Sequence, residues 1–286
     1  MNFLRQLFSR LFSKKDRDAT TSIKTIDFSG SPSPEPKMFE RLRSDGNKYY
    51  FTNTVPYKVD GTLKPATIEK VFDFAYDMTF GGKGQHRDHR SGGKHERRNG
   101  EIFANTFQGK IAECAACNLF YKMDSSVFPD FSLYKLGTWD SADITVKEKA
   151  ISVKSTKHFG QLLLLETKDW DEDAIYIPNR DSGSGLYDVV LFIRMNPNSE
   201  DILKSLKLFY SDTANYNNLK KSISEKEWTY NYVGYITRDD LQYIIRNRYI
   251  IPKGALLNGK MPMDAENYFV QSGDMRPVDS LNNVFN

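Results

Sequence analysis

The chain has 286 residues, 39% of them hydrophobic and 27% charged, with a formal net charge of +3. That length and apolar fraction support one large domain or two small ones with a full core, and no apolar run approaches the ~20 residues that span a bilayer. A charge so close to zero defines no partner by itself, so its distribution along the chain carries the information. The two cysteines, Cys114 and Cys117, lie three apart. This excludes a disulfide framework and makes a reducing cytoplasm the default setting.

Residues 1–18 stand apart. Phe3, Leu4, Leu7, Phe8, Leu11 and Phe12 fall on one helical face, and Arg5, Arg10, Lys14 and Lys15 lie off it. The pattern predicts a separate N-terminal amphipathic basic helix. Such a helix suits a membrane surface or a protein partner, and equally suits packing on its own domain. Residues 19–48 are rich in Thr, Ser, Pro and Gly, most clearly at Ser31-Pro32-Ser33-Pro34-Glu35-Pro36, and read as a flexible linker. The folded domain is expected over 49–286.

Within that domain the first predicted element is a helix over 65–80, with Pro65 in its first turn and Ile68, Val71, Phe72 and Ala75 on one face. A Gly-rich basic loop follows over 81–100. A long helix is predicted over 102–122, where Phe103, Phe107, Ile111, Ala115 and Leu119 recur at helical spacing. Next come short β-branched segments over 142–146 and 150–153, separated by Lys147-Glu148-Lys149, which predict a β-hairpin. Further strands are expected over 174–177, 187–193 and 230–236, then a helix over 239–248 and a last short strand at Phe269-Val270. No internal repeat is present. The order predicts an α/β domain with a mixed central β-sheet flanked by helices.

Three residues carry chemistry together. Glu113 ends the segment Gln108-Gly109-Lys110-Ile111-Ala112-Glu113 on the long helix. Asp143 opens the apolar strand Ile144-Thr145-Val146. Lys154 closes the strand Ile151-Ser152-Val153. A tight hairpin sets Asp143 and Lys154 at the same end of neighbouring strands, and a helix packed on that sheet can bring Glu113 there. Two carboxylates and a backbone carbonyl form a hard-oxygen site for Mg²⁺. A cation there activates water and offsets charge on a phosphodiester, while a lysine beside it orients or deprotonates the attacking water.

This arrangement resembles the PD-(D/E)XK nuclease superfamily, which includes many restriction endonucleases. Gly109-Lys110-Ile111-Ala112-Glu113 is similar to that family's first-helix acid motif, Asp143 to its metal-binding aspartate, and Lys154 to the lysine of its final tripeptide. The resemblance covers about 100–190, within a catalytic core expected over about 100–195, and extends loosely to Asn267-Tyr268-Phe269-Val270 and Asp274-Met275-Arg276-Pro277. It implies a restriction-endonuclease-like core and a Mg²⁺- (or Mn²⁺-) dependent DNA endonuclease acting in restriction or defence against foreign DNA. Glu113 and Asp143 would hold the metal and Lys154 would serve the water; a homodimer is compatible with this reading. One departure stands out: the tripeptide is Ser152-Val153-Lys154, with serine where the family has Asp or Glu. Strand alternation puts Ser152 on the face of Lys154, and its neutral hydroxyl is expected to contribute little, leaving Glu113 to compensate. The missing acid also fits a nuclease fold that only binds DNA.

Basic residues cluster before the long helix. Arg87, Arg90, Lys94, Arg97 and Arg98 predict phosphate contacts, as does Lys157 beyond the lysine strand, with His158 and Gln161 beside it. His86, His89 and His95, with Cys114 and Cys117, have spacings that allow zinc. The flanking Ala115 and Ala116 favour the cysteines as small core filling.

Overall fold

The computed structural model describes residues 38–83, 97–121, 123–131, 142–182 and 184–285. The expected helix over 1–18, most of the linker, the three histidines before the long helix, and Arg87, Arg90 and Lys94 lie outside the described residues. The linker boundary moves: β1 (Arg43–Asp45) and β2 (Lys48–Tyr50) pair as an antiparallel hairpin, and Phe39 and Leu42 are buried. The folded unit therefore includes residues assigned to linker from composition, because two apolar anchors outweigh the surrounding polar residues.

The chain is mixed α/β. Its main sheet has five strands in the order β3 (Gly61–Thr62), β8 (Thr229–Thr237), β7 (Val189–Asn196), β5 (Lys149–Lys157) and β4 (Ile144–Val146). β5 and β7 run parallel, and the other neighbours are antiparallel. The central β7 reads Val-Val-Leu-Phe-Ile-Arg-Met-Asn and is buried on both faces, as a near-continuous apolar strand should be. β8 carries a bulge opposite Phe192 and Ile193. Gly234 sits there at φ +155, where a Cβ would meet the Arg276 carbonyl oxygen and the Met275 Cβ at 2.6 Å, so only glycine lets the 275–276 backbone pair with Tyr235.

Helices cover one face of this sheet. α1 (Pro65–Met78) starts at a proline and buries Ile68, Val71, Phe72 and Ala75. α2 (Asn99–Phe120) is buried nearly all round, because it packs between α1, the short α3 (Ser199–Ser205) and the sheet. α4 (Tyr216–Ser224) packs on α1 and closes this layer. The other face is covered mainly by β-structure: a second sheet in the order β6 (Leu162–Glu166), β12 (Asn267–Gln271), β9 (Ile250–Ile251), joined by α5 (Arg238–Arg246). The expectation of helices flanking the sheet thus holds fully for one face. A third small sheet joins β1 and β2 to β10 (Leu256–Leu257) and β11 (Met261–Pro262).

Early and late segments are tied together by polar contacts. Gln271 Oε1 accepts from the backbone N–H of Thr52 and Asn53, Asn53 Nδ2 donates to Asp274, and Val55 N–H donates to the Ser272 hydroxyl. Arg194 of β7 is fully buried and donates to the carbonyls of Gly160 and Val55 and to Gln161 Oε1. These bonds supply the partners that a buried guanidinium requires.

Candidate active site

The β4–β5 pairing sets Ile144 opposite Ile151, so Asp143 and Ser152 meet at the open end of the hairpin. Asp143 Oδ2 accepts from Val153 N–H at 2.7 Å and from the Ser152 hydroxyl at 3.2 Å. Among the described residues Asp143 Oδ1 takes no hydrogen bond. Ser152 is fully buried. The expectation that it shares the face of Asp143 and Lys154 agrees with this contact. Its hydroxyl has a definite task, however: it orients the aspartate, which a weak metal ligand would not do.

Alternation along β5 sends Ile151 to the helical face and Ser152 and Lys154 to the other. Lys154 lies over the ring of Tyr176, 5.9 Å from its centroid, and makes no ion pair among the described residues. Tyr176 belongs to the segment between β6 and β7. Gly185 in the same segment, at φ +108, accepts at its carbonyl from Tyr176 N–H and lies where a Cβ would meet the Tyr176 carbonyl at 2.6 Å. Tyr187 packs beside Tyr176, and Asn179 Nδ2 reaches its hydroxyl at 3.5 Å. Burial, then the charge of Asp143 and the neighbouring Tyr176, push the Tyr187 hydroxyl up, so it stays a protonated phenol at neutral pH. Sequence reasoning missed this aromatic wall. The strand expected over 174–177 is absent; only isolated bridges from Ile175 and Tyr176 form there.

On the helical side, Lys110 and Glu113 form an ion pair at 2.5 Å, with side chains only 13% and 17% exposed. Lys110 Nζ also donates to the Asp130 carbonyl at 2.8 Å. Burial pushes the Lys110 ammonium down, but the Glu113 carboxylate more than offsets this, with Cys114 and Asp143 adding, and the net direction is up. Asp143 thus acts electrostatically on both Lys110 and Tyr187, from opposite faces of the sheet. Phe74 and Phe131 flank Lys110 and line a shallow groove with Lys70, Asp73 and Asp77.

The residues expected to contact phosphate are less available than their spacing suggests. Arg98 pairs with Asp212 at 2.7 Å, and Lys157 bridges Glu200 and Asp201 at 3.2 Å. Arg97 directly precedes Arg98, ahead of the first turn of α2. His158 packs edge-on against Tyr57. The cysteines are core filling: both are buried, and burial pushes the Cys114 thiol up to about 12.

Among the described residues no three Asp, Glu, His or Cys side chains converge as metal ligands. Mg²⁺ needs less than that, since one or two carboxylates with substrate phosphate oxygens and waters suffice. Asp143, whose Oδ1 takes no hydrogen bond among the described residues, and Glu113 as a second carboxylate fit such a substrate-assisted site in kind and number, with Glu113 on the helical side of the sheet and Lys154 on the other. No protein-family model, curated protein or solved structure matches the chain.

Proposed function

We propose that the chain is a Mg²⁺- or Mn²⁺-dependent DNA endonuclease of the restriction-endonuclease-like kind, acting in restriction or defence against foreign DNA. The observation that carries this reading is Asp143, pinned through one oxygen by Val153 N–H and Ser152, with Lys154 two residues along the same strand. A divalent cation held by Asp143 and Glu113 would supply charge relief on the scissile phosphate and acidify the attacking water. Ser152 and the Val153 amide keep the aspartate in one rotamer. Lys154, carried on a strand that pairs with β7 and backed by Tyr176, would orient the water and offset charge on the phosphate. The buried Tyr187 excludes solvent beside Asp143 and remains protonated there.

Incubation of supercoiled plasmid with the full chain tests the proposal. Nicking that requires Mg²⁺ or Mn²⁺ and stops with EDTA is expected; DNA left intact with either metal refutes it. A second reading has its own support. Serine replaces the tripeptide acid, and Lys110 already engages Glu113, which suits a nuclease fold that binds DNA without cutting it. Retained DNA binding without nicking would select that reading. The loss of both would leave an interaction protein that docks a membrane or partner.

A further inference from the structure

Glu113 is one of two carboxylates available to a divalent cation, and its Oε2 is already held by Lys110 Nζ. That ammonium is built in. It donates a second bond to the Asp130 carbonyl, lies 5.2 Å and 5.9 Å from the ring centroids of Phe74 and Phe131, and is largely buried. A surface lysine gives up a partner by a cheap rotamer change. One desolvated among a carboxylate, a carbonyl and two aromatic rings keeps its place. The ammonium also offsets the negative charge that Glu113 would offer a divalent cation.

On the nuclease reading given above, we infer that Lys110 is an internal counter-cation which occupies Glu113 in the DNA-free protein, so that a divalent cation must displace it to use that carboxylate. An incoming phosphodiester adds a negative charge and an oxygen ligand, and so shifts the balance toward the divalent ion. Metal loading then follows substrate binding, and the free protein stays poor in metal.

Calorimetric titration of Mn²⁺ into the DNA-free full chain tests this. Lys110→Met and Lys110→Gln should each bind Mn²⁺ about tenfold more tightly than the natural chain, a usual size for coupling between two competing ligands. Adding Glu113→Gln to either should remove the gain. Lys110→Gln keeps a donor for the Asp130 carbonyl, so it decides the matter if Lys110→Met fails to fold. Folded variants with unchanged affinity, or a gain that survives Glu113→Gln, overturn the inference. The nuclease reading is separable. If the Lys110 variants gain nothing while Asp143→Asn still weakens Mn²⁺ binding to the natural chain on phosphorothioate DNA, the metal site stands and the counter-cation role falls. If Mn²⁺ binds no variant even with that DNA, the metal site fails and takes the counter-cation role with it.

Discussion

Two ion pairs sit on opposite faces of the main sheet, similar in burial and different in the cation that holds them. Asp240 opens α5 and accepts from Arg276 Nε at 2.6 Å, Arg276 Nη2 at 2.8 Å and Thr237 N–H at 2.9 Å. Its N–H in turn donates to the Thr237 hydroxyl, completing a capping box. The planar guanidinium fork fixes that carboxylate by both oxygens. Glu113 is held by a lysine instead, a point charge on a flexible stem. The first pair is a closed structural clasp joining α5 to the segment after β12. The second lies near Asp143, and its lysine is also held by the Asp130 carbonyl. The geometry of the cation, a two-pronged fork against a point charge, separates the two pairs more than burial does.

The contrast predicts different failures. Arg276→Ala should cost about 3–5 kcal/mol of stability, because it leaves Asp240 buried without its cation; chemical denaturation reads this directly. A midpoint close to that of the natural chain would remove the clasp from the account. Lys154→Ala should act the other way, slowing cleavage by about 10²–10³-fold, the usual loss when one aligned charge-stabilising donor is removed, with the thermal midpoint nearly unchanged. Full activity in that variant would take Lys154 out of the mechanism. Ser152→Ala is intermediate in kind and smallest in size. It removes a buried hydrogen bond worth about 1 kcal/mol and should loosen Asp143, so a several-fold loss of cleavage is expected together with a small loss of stability. If it loses stability alone, the hydroxyl serves packing and not the orientation of Asp143.

Much of the helical layer was legible because its apolar residues recur at fixed spacing. Pro65 marks the start of α1, and α2 was expected within a few residues of its bounds. The β4–β5 hairpin was legible from β-branched runs around a charged turn, while the hydrogen bond of Ser152 to Asp143 was not, since the spacing set Asp143 beside Lys154. β6 was missed, since Leu162-Leu163-Leu164-Leu165-Glu166 lacks the alternation that distinguishes a half-buried strand. α4 was missed because only Leu219 and Ile223 are buried on it. The strand expected over 174–177 fails at Ala174, which adopts φ 58 and turns the chain away from extended pairing. The aromatic wall at Tyr176 and Tyr187 and the pairing of Lys157 with Glu200 and Asp201 depend on tertiary closeness. Residue spacing carries no information about either.

The polar ties between Thr52, Asn53 and Val55 and the segment around Gln271 and Ser272 bear on when this protein becomes itself. The first folded residues find their hydrogen-bond partners only after the segment past residue 270 has been synthesised, since β12 lies between β6 and β9 in the second sheet. A chain that stops short of β12 can hold the β4–β5 hairpin and α2, but it lacks the strand that covers the opposite face of the main sheet. Until that strand docks, the Lys154 face stays open to water. The face that carries Ser152 and Lys154 is thus closed by one of the later segments of the chain to be made.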